Sequence, residues 1–392
     1  PGRFNVFDYR GATLIADFRS RYGGTPRLFR APARINVIGE HTDYNDGFVL
    51  PAAIQYETLL AIRPRSDRML RLHSQTNGRS AEFDLAAEAP PRHDWADYAF
   101  GVAVMLQHGG MRLPGADILV TSSIPMGAGL SSSAALEVAT GYGLLALAGV
   151  PVDKVALARL CQRAENDHVG MRCGIMDQFI CCNGLRDHAL LIDIRSLESR
   201  PVPLDPRLRL VVANSMVHHS LAGSEYNKRR ASCEAGVRLL ASALGPIAAL
   251  RDVTSEMLDD NRRLLPEETY RRCRHVVTEN TRVIAAGKAF EAQEWETVGH
   301  LMDESHVSMR DDYEITCPEV DGLVAIARKQ PGVLGTRMTG GGFGGCTVSL
   351  VEEGEVESFI ATVGAAYEKA TGLKAQIFAC TPSEGAGPLD LT

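Results

Sequence analysis

The sequence contains no Cys-x-x-Cys pair, and its nine cysteines (Cys161, Cys173, Cys181, Cys182, Cys233, Cys273, Cys317, Cys346 and Cys380) are odd in number. This argues against a disulfide framework or a zinc knuckle and points to a reducing, cytoplasmic setting. No run of about 18 apolar residues occurs, so no membrane span is expected. Positive charge is not in excess: 41 Lys and Arg face 48 Asp and Glu, a net charge of −7. A bulk basic field for nucleic acid is therefore absent. Charged residues make up only 23% and are mixed in sign, which excludes an acidic tail. There is no low-complexity tract and no repeat at solenoid spacing. The stretch from Pro1 to Arg30 carries arginines throughout and no compact apolar core, so it does not read as a secretory signal. Proline instead of methionine at position 1 points to a processed start.

What remains is an ordinary globular chain of 392 residues, 45% hydrophobic, long enough for two domains with their own cores. Short apolar segments bounded by turn residues predict strands at Leu28–Val37, Thr58–Ile62, Met69–His73, Asp117–Thr121, Ala189–Ile194 and Leu208–Asn214. Ser132–Ala148 reads as a helix apolar nearly all the way round, hence buried between layers. A second helix is expected over Lys154–His168. Amphipathic helices follow at Glu225–Leu244, Glu267–Ala289 and Trp295–Met309, then strands at Gly345–Val351 and Ala375–Cys380 flanking a helix at Val356–Thr371. The order gives an α+β chain of two domains, 1–210 and 211–392. No Pro/Gly/Ser linker separates them, so a broad shared interface is expected.

Three segments carry chemistry. In Ser122–Ala135, a strand leads into a turn with Gly127 and Gly129, then three serines open the buried helix. Glycines let the backbone approach a ligand, and helical N–H groups at the positive dipole end suit a phosphate. A serine N-cap is the bland alternative. It is not a P-loop: the only Gly-Lys pair, Gly287-Lys288, is followed by Ala289. In Ala33–Gly47, a strand ends in Glu40-His41-Thr42-Asp43, a cluster of donors and acceptors suited to a polyhydroxylated ligand. A polar turn is the alternative, and His-Glu-x-x-His zinc spacing is absent. In Gly335–Cys346, the glycines crowded between 340 and 345 signal a loop packed against backbone or ligand.

Together these segments resemble the three signature motifs of the GHMP small-molecule kinases, and within them the galactokinases. Gly39–Asn45, Cys173–Gln178 with His188–Asp193, and Ser224–Arg230 are similar to that family in the same order along the chain. The resemblance implies a mixed-sheet N-terminal domain, an α+β C-terminal domain and an active site between them. It implies transfer of the ATP γ-phosphoryl group to the anomeric hydroxyl of α-D-galactose. Carried over residue by residue, the sugar would meet Glu40, His41, Thr42, Asp43, Gly174 and Tyr226. The nucleotide would meet Gly127, Ala128, Gly129, Leu130, Ser131, Ser132 and Ser133, with Trp95 near the adenine. Mg²⁺ would be held by Ser133 and Glu165, and the catalytic pair would be Asp177 and Arg34. An adjacent arginine keeps such a carboxylate ionised and faces developing phosphoryl charge. Partners are then small molecules alone, neither nucleic acid nor membrane, and a monomer is expected.

Two neighbouring functions share parts of the pattern: an N-acetylgalactosamine kinase, and a galactose-responsive sensor that catalyses little. The Cys173–Gln178 segment favours the unsubstituted sugar, and the intact Ser131–Ala135 run favours catalysis. Other features read blandly. His218-His219 has no third ligand nearby, the Arg229-Arg230, Arg262-Arg263 and Arg271-Arg272 pairs are expected on solvated helix faces, and Cys181-Cys182 as small buried hydrophobes.

Overall fold

The computed structural model describes residues 6–390, apart from 88–89, 126 and 218–221. His218 and His219 lie outside the described residues. The strands are β1 (Arg27–Asn36), β2 (Phe48–Val49), β3 (Pro51–Arg65), β4 (Met69–Ser74), β5 (Ser80–Asp84), β6 (Gly115–Ser122), β7 (His188–Asp193), β8 (Ser199–Pro203), β9 (Leu208–Asn214), β10 (Val333–Thr339), β11 (Cys346–Glu352), β12 (Gln376–Cys380) and β13 (Gly387–Pro388). The helices are α1 (Val6–Tyr22), α2 (Asp97–His108), α3 (Ser132–Leu147), α4 (Lys154–Arg163), α5 (Met176–Asn183), α6 (Ala222–Leu244), α7 (Ser255–Asp260), α8 (Glu267–Ala292), α9 (Trp295–Ser308), α10 (Pro318–Ala327) and α11 (Val356–Thr371).

A six-stranded sheet, β13-β1-β3-β6-β4-β5, is antiparallel except where β4 runs parallel to β6. A four-stranded antiparallel sheet, β10-β11-β9-β12, forms the second half, and β2-β7-β8 a small third sheet. The large sheet is covered on one side by α1, through Leu14 and Phe18, and on the other by α3. β1 is buried along almost its whole length although Arg30, Arg34 and Asn36 stand among its apolar residues. The expected all-round burial of α3 is observed: α2, α4, α5, β1 and β3 surround it. One core passes through both halves, joining Ile35 and Val138 to Val283 and Phe290 of α8 and Val348 of β11. The broad interface follows from this shared core.

Some boundaries differ from the sequence reading. The helix expected over 154–168 stops at Arg163 and widens into a π-turn, Ala164–Val169, closed by left-handed Gly170. A second π-turn, Met309–Tyr313, ends α9. Residues 335–339, read as loop, belong to β10, and glycine-rich backbone begins only at Gly340. Division at 210/211 would cut β9, whose sheet partners β11 and β12 both lie further along the chain. We propose instead that the second domain begins at β9 and that β13 returns to the first sheet beside β1.

Arg229 and Arg272 are not solvated: both are buried, donating to the carbonyls of Tyr313 and Glu314 and of Asp312, respectively. A turn with i→i+5 bonding leaves carbonyls at its end that need such donors.

Candidate active site

The register shifts between Pro32 and Ala33, where Gln55 and Tyr56 of β3 are the extra residues, so β3 bulges opposite the stretch of β1 just before Arg34. Pro32 brings no N–H to the ladder, and a bulge at this point locally re-aims the paired strands. Arg34 leaves the sheet toward the first turn of α5, where its Nε and Nη2 donate to both Asp177 oxygens at 2.7 and 2.8 Å. Its Nη1 donates to the Gly129 carbonyl at 2.7 Å. Burial opposes the guanidinium charge, but Asp177 outweighs it, and the Arg34 pKa is raised. Asp177 does not cap its own helix. The hydroxyl of Ser131 donates to Asp177 Oδ2 at 2.5 Å, so Ser131 does not cap α3 with its side chain either, although it sits at the N-cap with φ 61°. The α3 N-terminus thus opens uncapped by any side chain beside the Arg34–Asp177 pair.

These groups form one wall of a cavity of about 280 Å³. Glu40, His41, Asp43, Gly174 and Tyr226 line the rest, with Gly127, Gly129–Ser133, Glu165 and Gly340–Gly342. Gly174 is required by contact: a Cβ there would fall 2.0 Å from Asp43 Oδ2. Asp43 has its pKa pushed up to about 7, first by burial and then by the neighbouring Asp177 and Glu40 carboxylates. Glycine is equally required at Gly342 (φ +89°), where a Cβ would lie 2.6 Å from the Ile315 carbonyl oxygen.

The π-turn after α4 turns Glu165 inward, 7% exposed. Gln178 Nε2 donates to Glu165 Oε2 at 2.7 Å and to Glu137 Oε2 at 3.1 Å. Burial first, and then Asp177, raises the Glu165 pKa, and Glu137 beside it is raised strongly by burial and by Glu165. Glu137 Oε1 and Gln178 Oε1 are buried without a hydrogen-bond partner.

Three expected residues stand elsewhere. Thr42 is off the cavity wall, its hydroxyl spent on the Phe48 and Gly39 carbonyls at 2.7 and 2.9 Å, so it ties the turn. Ala128 is buried, its carbonyl accepting the Cys346 thiol at 2.8 Å. Trp95 lines a second cavity of about 300 Å³ with Tyr98 and Leu136, and Ser132 and Ser133 line both cavities.

The sequence reading passed over a buried charge network behind Glu40. Glu40 accepts from Asn36 Nδ2 at 2.6 Å, the Gly340 N–H at 2.8 Å and Arg337 Nη1 at 3.4 Å. Arg337, 0% exposed, also donates to the Asn36 and Val37 carbonyls and to Ser305. Glu279 of α8 accepts from the Gly39 N–H, Ser305 Oγ and Arg282 Nε at 3.0, 2.7 and 2.7 Å. Burial opposes the Glu279 charge, but Arg282 foremost among its neighbours outweighs it and lowers the pKa to about 2. The one sequence cue was Arg337 inside the third motif.

The galactokinase galactose-binding signature matches residues 16–64, the GHMP kinase N-terminal domain 97–185 and the GHMP kinase C-terminal domain 287–369. A galactokinase of Chloroflexus aurantiacus is 48% identical over 379 residues, covering 96% of this chain and 97% of that protein. The chain belongs to the galactokinase family. A galactokinase of a Roseiflexus species is 47% identical, covering 94% of this chain and 95% of its own length. The crystal structure of Lactococcus lactis galactokinase complexed with galactose superposes with a TM-score of 0.93 at 37% identity, over 97% of this chain and 100% of that one. A Methanococcus jannaschii mevalonate kinase, at 16% identity and a TM-score of 0.64 over 92% of this chain and 99% of its own, shares the fold. As a member of the galactokinase family, the chain has the α+β two-half architecture that its motifs implied.

Proposed function

We infer that the chain is an ATP-dependent galactose kinase that makes galactose 1-phosphate and ADP. One observation carries the residue-level reading: the Arg34–Asp177–Ser131 cluster lines a sugar-sized cavity beside the open N-terminus of α3. In the reaction, a bond forms between the sugar C1 oxygen and the γ-phosphorus. The bond from that phosphorus to the ADP oxygen breaks, and the hydroxyl proton leaves the sugar. Asp177, fixed by two bonds from Arg34, would orient that hydroxyl and accept its proton. Arg34 also faces charge developing on the transferred group. Asp43, Glu40 and Tyr226 would hold the other hydroxyls, and His41 would pack beside them. The α3 N–H groups from Ser132 onward would hold phosphates. Trp95 would border the adenine in the adjoining cavity.

The donor set fits Mg²⁺. Among the described residues no three His, Cys, Asp or Glu side chains converge as a protein-only cage would. Glu165 and Ser133, however, both line the cavity and Glu165 carries a raised pKa that a cation would relieve. Mg²⁺ takes one or two protein oxygens plus substrate phosphates. When bound it would neutralise charge on the transferring phosphates. A cytoplasmic monomer completes the proposal, and the nine free thiols suit a reducing compartment. Among the described residues no helix is long and apolar enough to cross a membrane.

Turnover of ATP with galactose, glucose and N-acetylgalactosamine in parallel tests the reading. Galactose is expected to exceed glucose in kcat/KM by a large factor, up to about 10⁴, because buried groups built for the C4 hydroxyl of galactose are left unpaired by its epimer. Equal use of glucose would refute a site built around that hydroxyl, and preference for N-acetylgalactosamine would reassign the substrate.

A further inference from the structure

His41 stands at the seam between the first motif and the glycine-rich loop, in left-handed backbone at φ 62°. Both ring nitrogens are engaged: Nε2 lies 3.2 Å from the Gly341 carbonyl oxygen and Nδ1 lies 2.6 Å from the Tyr44 hydroxyl. The Tyr44 hydroxyl is in turn 2.7 Å from that of Tyr313, which lies 3.2 Å from Cys233 Sγ. The ring planes of Tyr226 and Tyr313 pack on the imidazole at centroid distances of 4.9 Å.

The polarity of this chain follows from counting hydrogens. A carbonyl only accepts, so Nε2 carries the proton. Burial, and after it His275, keeps the ring neutral with a pKa lowered to about 3. Nδ1 is then an acceptor, and Tyr44 must donate its single hydroxyl hydrogen to it. Tyr313 must donate to Tyr44, and the Cys233 thiol to Tyr313. The opposite tautomer would set the Nε2 lone pair against the Gly341 oxygen and release the bond that spans the seam.

We propose that Tyr44, oriented by Tyr313, is a positioning residue that fixes His41 as its neutral Nε2–H tautomer and so clamps the Gly340–Gly342 loop over the sugar cavity. His41 then serves the sugar as a wall and a clasp, with no ring nitrogen left over for a hydroxyl. Gly341 backs onto Tyr226 (a Cβ there would lie 3.6 Å from its ring), so a loosened loop would also free that ring. The role in sugar binding rests on the galactose-kinase reading, but the tautomer does not.

The test pairs a spectrum with kinetics on the full chain. Nitrogen-15 NMR of the imidazoles, with His41 assigned by the signal lost in His41→Asn, is expected to show a neutral Nε2–H ring at pH 7. In Tyr44→Phe the signal should shift to a mixture of tautomers, and KM for galactose should rise about tenfold with KM for ATP unchanged. Tyr313→Phe keeps the donor to His41 and covers the case in which Tyr44→Phe does not fold. It should leave the tautomer in place, move the Nδ1 resonance and raise KM for galactose less. An Nδ1–H ring in the unaltered protein overturns the proposal, whatever the substrate. So does a foldable Tyr44→Phe with an unaltered His41 spectrum, or with galactose KM within about twofold of the parent. If the chain turned over no galactose, the substrate reading would fail while the spectrum still judged the clasp.

Discussion

Two clusters of arginine and carboxylate flank β1, and they are built on opposite principles. In the cleft, Asp43 and Glu165 stand near Asp177, which is paired with Arg34, and the pKa values of Asp43 and Glu165 rise through burial and through Asp177. Behind Glu40 the signs alternate, Arg282, Glu279, Arg337, Glu40, and the central carboxylate is lowered to about 2. Like charges gathered at a cavity wall await a partner from outside: sugar hydroxyls, or a cation carried in with phosphates. Alternating charges already have their partners, and they tie the Gly39 N–H, β10 and α9 into one frame. Strain marks the groups that act, and satisfaction marks the groups that hold them.

The largest effect expected from this contrast is a split between rate and stability. Asp177→Asn should lower kcat by about 10²–10⁴-fold. Its thermal midpoint should fall less than that of Glu279→Gln, because the loss of Arg34's charged partner is offset in part by relief among the crowded carboxylates. A matching loss of stability and rate, seen by calorimetry beside a coupled ATPase assay, would break the comparison. Glu279→Gln should do the reverse. It leaves Arg337 and Arg282 buried beside a neutral group and should cost about 3 kcal/mol of unfolding free energy, measured in urea. The folded fraction should retain kcat within a few-fold. Gly174→Ala comes next. Its methyl group overlaps the Asp43 carboxylate and should raise KM for galactose through about 1–3 kcal/mol of displacement, with KM for ATP unchanged.

The same contrast explains what could be read from residues alone. Contiguous chemistry was legible: the Glu40–Asp43 cluster, the glycines before α3 and the Gly340–Gly345 run each announce a turn within a dozen positions, and all three reach one cavity. The α+β order and most element centres were legible too, since α3 and β9 are apolar over most of their length. The holding network was not. Glu279 meets Gly39 across 240 positions and Arg337 meets Glu40 across 297, and on an amphipathic helix a glutamate looks like solvent-facing surface. Arg272 was misread for that reason. The two π-turns were hidden because 154–168 and 295–309 scan as plain helix, and one extra residue per turn leaves no mark in composition. Thr42 is the converse case: it lies inside the first motif, yet its hydroxyl is spent on the Gly39 and Phe48 carbonyls.

The smallest effect expected is in pH, where the two clusters should differ in sign. Asp43 carries a folded pKa of about 7, above its unfolded value, so the folded protein binds a proton that the unfolded chain releases. Its contribution to stability is full below about pH 4 and is lost as pH rises toward 7. Glu279, held at about 2, contributes above about pH 4.5 and loses that only as pH falls toward 2. Between pH 5 and 8 Glu279 is therefore silent and Asp43 is not. For binding the direction reverses, since an ionised carboxylate accepts sugar hydroxyls better than a protonated one. With its pKa near 7, Asp43 becomes increasingly ionised between pH 6 and 8, so galactose should bind more tightly at the higher pH, by up to about tenfold. Titration calorimetry without nucleotide measures this directly. Asp43→Asn should bind weakly with no slope over that range, while Glu279→Gln should keep the slope. A slope that survived in Asp43→Asn would move the titrating group elsewhere in the cleft, with Glu165 the next to test.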